Sequence, residues 1–163
     1  MPDRVQRSRK PRASAGFAFE NYLPFLVNRL AIALLAYSTP VMERRALTIP
    51  QYRILMVLRE NPVCNFKQVA EFTRIEPPTL SRLLNTLEDA KLVRRKRSAS
   101  DTRSVLVSLT RKGSAVAEKM IPFSKSVEEM ALRGVKAADA RTLRRVLTQM
   151  YESVLNSPGP GHW

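Results

Sequence analysis

Residues 92–110 read LVRRKRSASDTRSVLVSLT. Four consecutive cations, Arg94-Arg95-Lys96-Arg97, run into a polar turn at 98–102, and a second apolar run at 105–109 follows at once. Two strand-like runs joined by a short turn predict a β-hairpin. Alternation along a strand puts Arg94 and Lys96 on one face and Arg95 and Arg97 on the other. A solvated basic loop or a localisation-type run does not normally continue into a Val/Leu strand. The charge therefore belongs to a folded arm, able to offer cations to two strands of phosphate.

The stretch upstream says what the arm accompanies. In RIEPPTLSRLLNTLEDAKLV (74–93), Pro77 and Pro78 suit a first helical turn, and Leu80, Leu83, Leu84 and Leu87 recur at i, i+3, i+4, i+7. The opposite face then carries Pro78, Thr79, Ser81, Arg82 and Asn85, with acids only at its far end. Before it lies FKQVAEF (66–72), with Asn65 as N-cap and Gln68 as capping-box partner, and Asn65 and Lys67 are counted among the residues expected to contact DNA. A short helix, a tight turn and a leucine-backed helix with a polar outer face predict a helix-turn-helix, and the hairpin after it predicts a β-wing. Arg103, near the hairpin tip, is placed to enter a narrow minor groove, and Asp101 to pair with a neighbouring arginine.

The flanks read as helices. Residues 19–38 carry a wide apolar stripe from Leu23 to Leu35, and LTIPQYRILMVLRE (47–60) opens on Thr48 as N-cap with Ile54, Leu55, Val57 and Leu58 inward. A long helix from Thr110 to about Leu132, interrupted or bent at Pro122, precedes a last helix at 138–156 with an a/d-like seam.

The 163-residue chain holds 28 Lys+Arg against 14 Asp+Glu, a net charge of +14 that suits a polyanionic partner. One cysteine excludes an intramolecular disulfide, and one histidine makes a structural zinc site a poor fit. The five glycines form no phosphate-cradling loop, and no catalytic triad is visible, so neither an enzyme nor a cofactor is expected. LAIALLAY (30–37) reads as too short to cross a bilayer, and the N-terminus lacks the apolar core of a signal peptide; the expected location is the cytoplasm, without membrane.

Three segments, LTIPQ (47–51), SDTR (100–103) and LTRKG (109–113), together with the helices around them, resemble the MarR family of bacterial winged-helix transcription regulators over about 20–155. The resemblance implies a mainly α fold with a small β-wing, in the order α-α-α-α-β-β-α-α, with an extra short strand near 63–65. Residues 1–16 read by composition as a disordered basic arm and 157–163 as a flexible tail, and the resemblance implies a helical dimerisation domain from 17–46 and 111–156 and a winged helix at 47–110. It implies a homodimer on a pseudo-palindromic double-stranded DNA operator, acting as a repressor released by a small effector. Pro78, Thr79, Ser81, Arg82 and Asn85 would contact bases and nearby phosphates, and Arg103 would take the wing's minor-groove role. The Pro77-Pro78 pair departs from the family, where a small polar residue often follows the proline, and limits Pro78 to van der Waals contact.

NYLPFLVNRLA (21–31) also looks like members that control aromatic catabolism, whose effectors are aromatic acids or CoA thioesters. Asn28, Arg29, Tyr37, Tyr52 and Arg53 are the expected pocket; the competing reading makes the arginines salt-bridge partners and the tyrosines core. Cys64 reads as a structural thiol, because peroxide-sensing members keep theirs in the N-terminal helix. A nonspecific architectural DNA- or RNA-binding protein is the alternative function. The same charge would serve it, with shape read in place of sequence.

Overall fold

The computed structural model describes residues 18–97 and 104–159, which divide into two compact units, Met1–Tyr52 and Arg53–Trp163. The expected wing tip, with Asp101 and Arg103, and the basic arm lie outside the described residues.

In the first unit a 3-10 turn, Phe19–Asn21, leads into α1, Leu23–Glu43, with Pro24 in the first turn where its missing N–H costs nothing. Phe19 packs on Tyr22 and Phe25, and the Arg29 guanidinium lies 5.5 Å from the Phe25 ring centroid. The helix runs five residues past the expected end and through Pro40. At 21 residues it is long and apolar enough to cross a bilayer, which corrects the sequence reading of this segment as too short. Leu23, Leu26, Leu30, Ile32 and Leu35 are all exposed.

The LTxxQ opening is a reciprocal cap. The Thr48 N–H donates to Gln51 Oε1 at 2.9 Å and the Gln51 N–H to Thr48 Oγ1 at 3.3 Å, which starts α2, Ile49–Glu60.

The second unit is the winged helix with two long helices after it. The C-terminal part of α2 buries Ile54, Leu55 and Leu58, while Val57 is only half-buried. A two-residue strand β1, Cys64–Asn65, enters α3, Phe66–Thr73, whose capping box is the one expected: Gln68 N–H to Asn65 Oδ1 at 2.9 Å and Asn65 N–H to Gln68 Oε1 at 2.8 Å. Next comes α4, Pro77–Asp89, burying Leu80, Leu84 and Leu87 completely and Leu83 by half. It ends in a Schellman motif, Leu92 N–H to Leu87 O and Lys91 N–H to Glu88 O, both 2.8 Å. Strands β2, Val93–Arg97, and β3, Val105–Leu109, pair antiparallel with Val93 opposite Leu109, and β1 pairs with the other edge of β3. Val93, Val107 and Cys64 share the sheet's buried face by register, and Val69, Ala117 and Met120 are buried as well.

The LTxxG junction ties this body together. Thr110 caps α5, Arg111–Ala131, accepting from the Gly113 N–H at 3.0 Å while its hydroxyl donates to Lys91 O at 2.6 Å. Pro122 does not interrupt α5, which stays continuous to Ala131. The last helix is α6, Ala137–Asn156, with Leu143, Leu147, Tyr151, Val154 and Leu155 exposed along it.

Candidate nucleic-acid interface

With its leucines sunk in the core, α4 turns its other side outward: Pro78, Thr79, Arg82 and Asn85 are exposed and Ser81 half-buried. Lys67, on α3, is exposed too. The basic strand lies beside this face. Arg95 belongs with Val93 to the α4 side of the sheet, and its Nε donates to Glu88 Oε2 at 2.8 Å. Its Nη2 donates to Asn85 Oδ1 at 2.6 Å, and its backbone N–H to Glu88 Oε1 at 3.2 Å. The hydrogen bond from Arg95 holds the Glu88 carboxyl below the usual carboxylate range, against a smaller opposing push from burial.

This arrangement changes three sequence assignments. Arg95 is not a free cation for phosphate; Glu88 neutralises it, and it braces the wing against α4. Arg94 and Lys96 sit on the opposite face of the strand from Arg95, and Arg94 Nε donates to Ser108 Oγ at 3.0 Å across the ladder. The four cations therefore do not all address the surface that α4 presents; of the tetrad, Arg97 shares the Arg95 side and is exposed. Asn65 uses its side-chain oxygen in the α3 cap, so its first role is structural. Sequence reasoning assigned Glu88 no role, although an acid seven residues before an arginine, across a turn, was the available signal.

The expected effector residues are engaged or out of phase. Arg53 Nη1 donates to the Thr73 carbonyl at 3.2 Å, satisfying the end of α3, and Arg29 lies over Phe25. Asn28 and Tyr37 are nine positions apart on α1, about 180° around a helix, so one cleft cannot take both. Tyr37 is exposed and Tyr52 half-buried. Cys64 is 2% exposed, its Sγ 3.6 Å from the Asn61 carbonyl, and burial pushes the thiol pKa up. A protonated, enclosed thiol is a poor nucleophile, as a structural cysteine should be.

Among the described residues no cluster of His, Cys, Asp or Glu is grouped to hold a metal.

A sequence model of the MarR family matches residues 47–105. The chain is 30% identical over 135 residues to the organic hydroperoxide resistance transcriptional regulator of Bacillus subtilis, covering 83% of this chain and 90% of the relative. It is 29% identical over 123 residues to the homoprotocatechuate degradative operon repressor of Escherichia coli, covering 76% and 80%. Among solved structures, Bordetella bronchiseptica BpsR, whose DNA binding is regulated by 6-hydroxynicotinic acid, superposes with a TM-score of 0.76. That match has 26% identity and covers 83% of this chain and 97% of that one. The braced helix, its wing and these likenesses agree: the chain belongs to the MarR family, whose members are winged-helix transcriptional regulators and not enzymes.

Proposed function

We propose that the protein is a homodimeric, sequence-specific DNA-binding repressor acting in the bacterial cytoplasm, which leaves a pseudo-palindromic operator when a small aromatic acid or its CoA thioester binds. One observation carries the DNA reading. The outer face of α4 offers Thr79, Ser81, Arg82 and Asn85, and a strand carrying Arg95 and Arg97 is hydrogen-bonded to that same helix. A rigid helix with hydroxyls, an amide and a cation, flanked by the exposed Arg97, fits a major groove and its phosphates.

The dimer is supported by the apolar faces left open at both ends of the chain, on α1 and again on α6. Exposed apolar area of that extent needs a partner, and twofold pairing of identical chains is the simplest one. The same exposure on α1 would also suit a bilayer, but α6 shares it and carries several cations, which favours pairing of chains. The effector class rests on relatives: one represses a homoprotocatechuate operon and another responds to 6-hydroxynicotinic acid. Both compounds are aromatic carboxylic acids.

The test is selection of duplexes from a random pool by the full-length protein, followed by a salt titration on the enriched sequence. A two-half-site sequence should emerge, with log affinity falling linearly in log salt at about 0.9 per phosphate neutralised. An unenriched pool, or single-stranded RNA competing as well as the duplex, would replace this reading with a nonspecific architectural or RNA-binding one.

A further inference from the structure

Arginine carries only donors, so whichever atom of Asn85 faces Arg95 Nη2 at 2.6 Å must be the carboxamide oxygen. The geometry therefore settles the orientation of a side chain whose two ends look alike. Arg95 cannot readily swing away. Its Nε and its backbone N–H are both held by Glu88, and its strand position is fixed opposite Val107. With the oxygen turned to the wing, the Asn85 amide nitrogen is directed the other way, from an exposed position on the outer face of α4.

We propose that the hydrogen bond from Arg95 makes Asn85 a donor-only reader of the major groove, selecting guanine or thymine and discriminating against adenine. This rests on the DNA-binding reading above. Asparagine reads adenine by using both ends at once, accepting from N6–H and donating to N7. Here the accepting end already takes a charge-assisted bond, the stronger kind, and an adenine amino group reaching for its remaining lone pair would have to approach beside a guanidinium cation that repels it. Guanine presents only acceptors at O6 and N7, and thymine an acceptor at O4, so both suit a lone donor; adenine offers the N7 acceptor but brings its N6 amino group toward the guanidinium, and cytosine presents the N4 amino donor and is rejected. Arg95 acts here as a positioning residue, touching no base itself.

The experiment is parallel duplex selection with full-length wild type, Asn85→Ala, Asn85→Asp and Arg95→Met. Wild type should enrich guanine or thymine at one position per half-site, and Asn85→Ala should lose the preference at that position alone. Asn85→Asp keeps an acceptor toward Arg95 and turns a second one outward, so the preference there should move to cytosine. Arg95→Met frees the carboxamide oxygen and should admit adenine, each change being about fivefold or more. Adenine in the wild-type selection, or no position that depends on Asn85, overturns the proposal while leaving the operator reading intact. Failure of wild type to enrich any sequence sinks the operator reading itself. Should Arg95→Met not fold, the cytosine shift in Asn85→Asp decides alone, and its absence overturns the proposal. A purely structural role for Arg95 would change affinity without changing which base is preferred.

Discussion

Gly113 has no room for a side chain. A Cβ built there would lie 1.9 Å from the Leu92 carbonyl oxygen and 2.8 Å from its carbon, and both are backbone atoms with nowhere to retreat. The glycine of the LTxxG segment is thus needed for α5 to rest against the turn after α4. Gly113→Ala should cost about 3 kcal/mol or more, read as a lower urea midpoint with unchanged slope. Lys91 shows the opposite case. It occupies the left-handed position of the Schellman motif with φ of 60°, a place glycine fills without strain. Lys91→Gly should therefore stabilise the fold by about 0.5–1 kcal/mol, the relieved strain outweighing the extra freedom of the unfolded chain. Thermal unfolding of the two single variants beside wild type checks both signs.

At the scale of elements, the helices were legible because the apolar period and the caps agree. Thr48 with Gln51, and Asn65 with Gln68, each close a box that the sequence spells out. The wing's strands were legible too, but not which way its charges point, since alternation separates two faces without saying which one meets α4. The pairing of Arg95 with Glu88 decides that, and it titrates. Glu88 has its carboxyl pKa lowered in the folded protein, so its contribution to stability is present above the ordinary carboxylate value, about 4.3. It is lost as pH falls through the lower folded value. Glu88→Gln should flatten the dependence of the unfolding temperature on pH below about pH 5, and an unchanged acid limb would show that the pair adds nothing to the fold. Both partners are partly exposed, so the effect should also shrink in high salt.

At the scale of the whole molecule, a second copy of the chain should cover the apolar faces of α1 and α6. Leu30 on α1 and Leu147 on α6 are exposed in the single chain, yet an amphipathic helix usually keeps its stripe from water. In sedimentation equilibrium wild type should run at about twice the 18.5 kDa chain mass, and Leu147→Glu should shift it toward the monomer. Because Leu147 is already exposed within the chain, the variant should keep its helical content; a wild-type monomer would end the dimer reading. The effector residues were the least legible part. Arg53 is taken by the end of α3, and Asn28 and Tyr37 lie on opposite sides of α1, features that depend on partners and phase more than on residue type.

The amino-acid order by itself determined the succession of helices and strands, their caps, and the identity of the leucine-backed helix with its basic hairpin. The helices and their caps follow from local geometry, in which the partner of each group lies within about one turn of chain, and the hairpin follows from two apolar runs joined by a short polar turn. Tertiary structure alone decided that Arg95 is a brace, that Asn85 has its oxygen turned inward, and that Gly113 must stay bare. In each case the deciding contact joins residues on different elements, and hydrogen-bond reach or a backbone collision between them has no trace in periodicity.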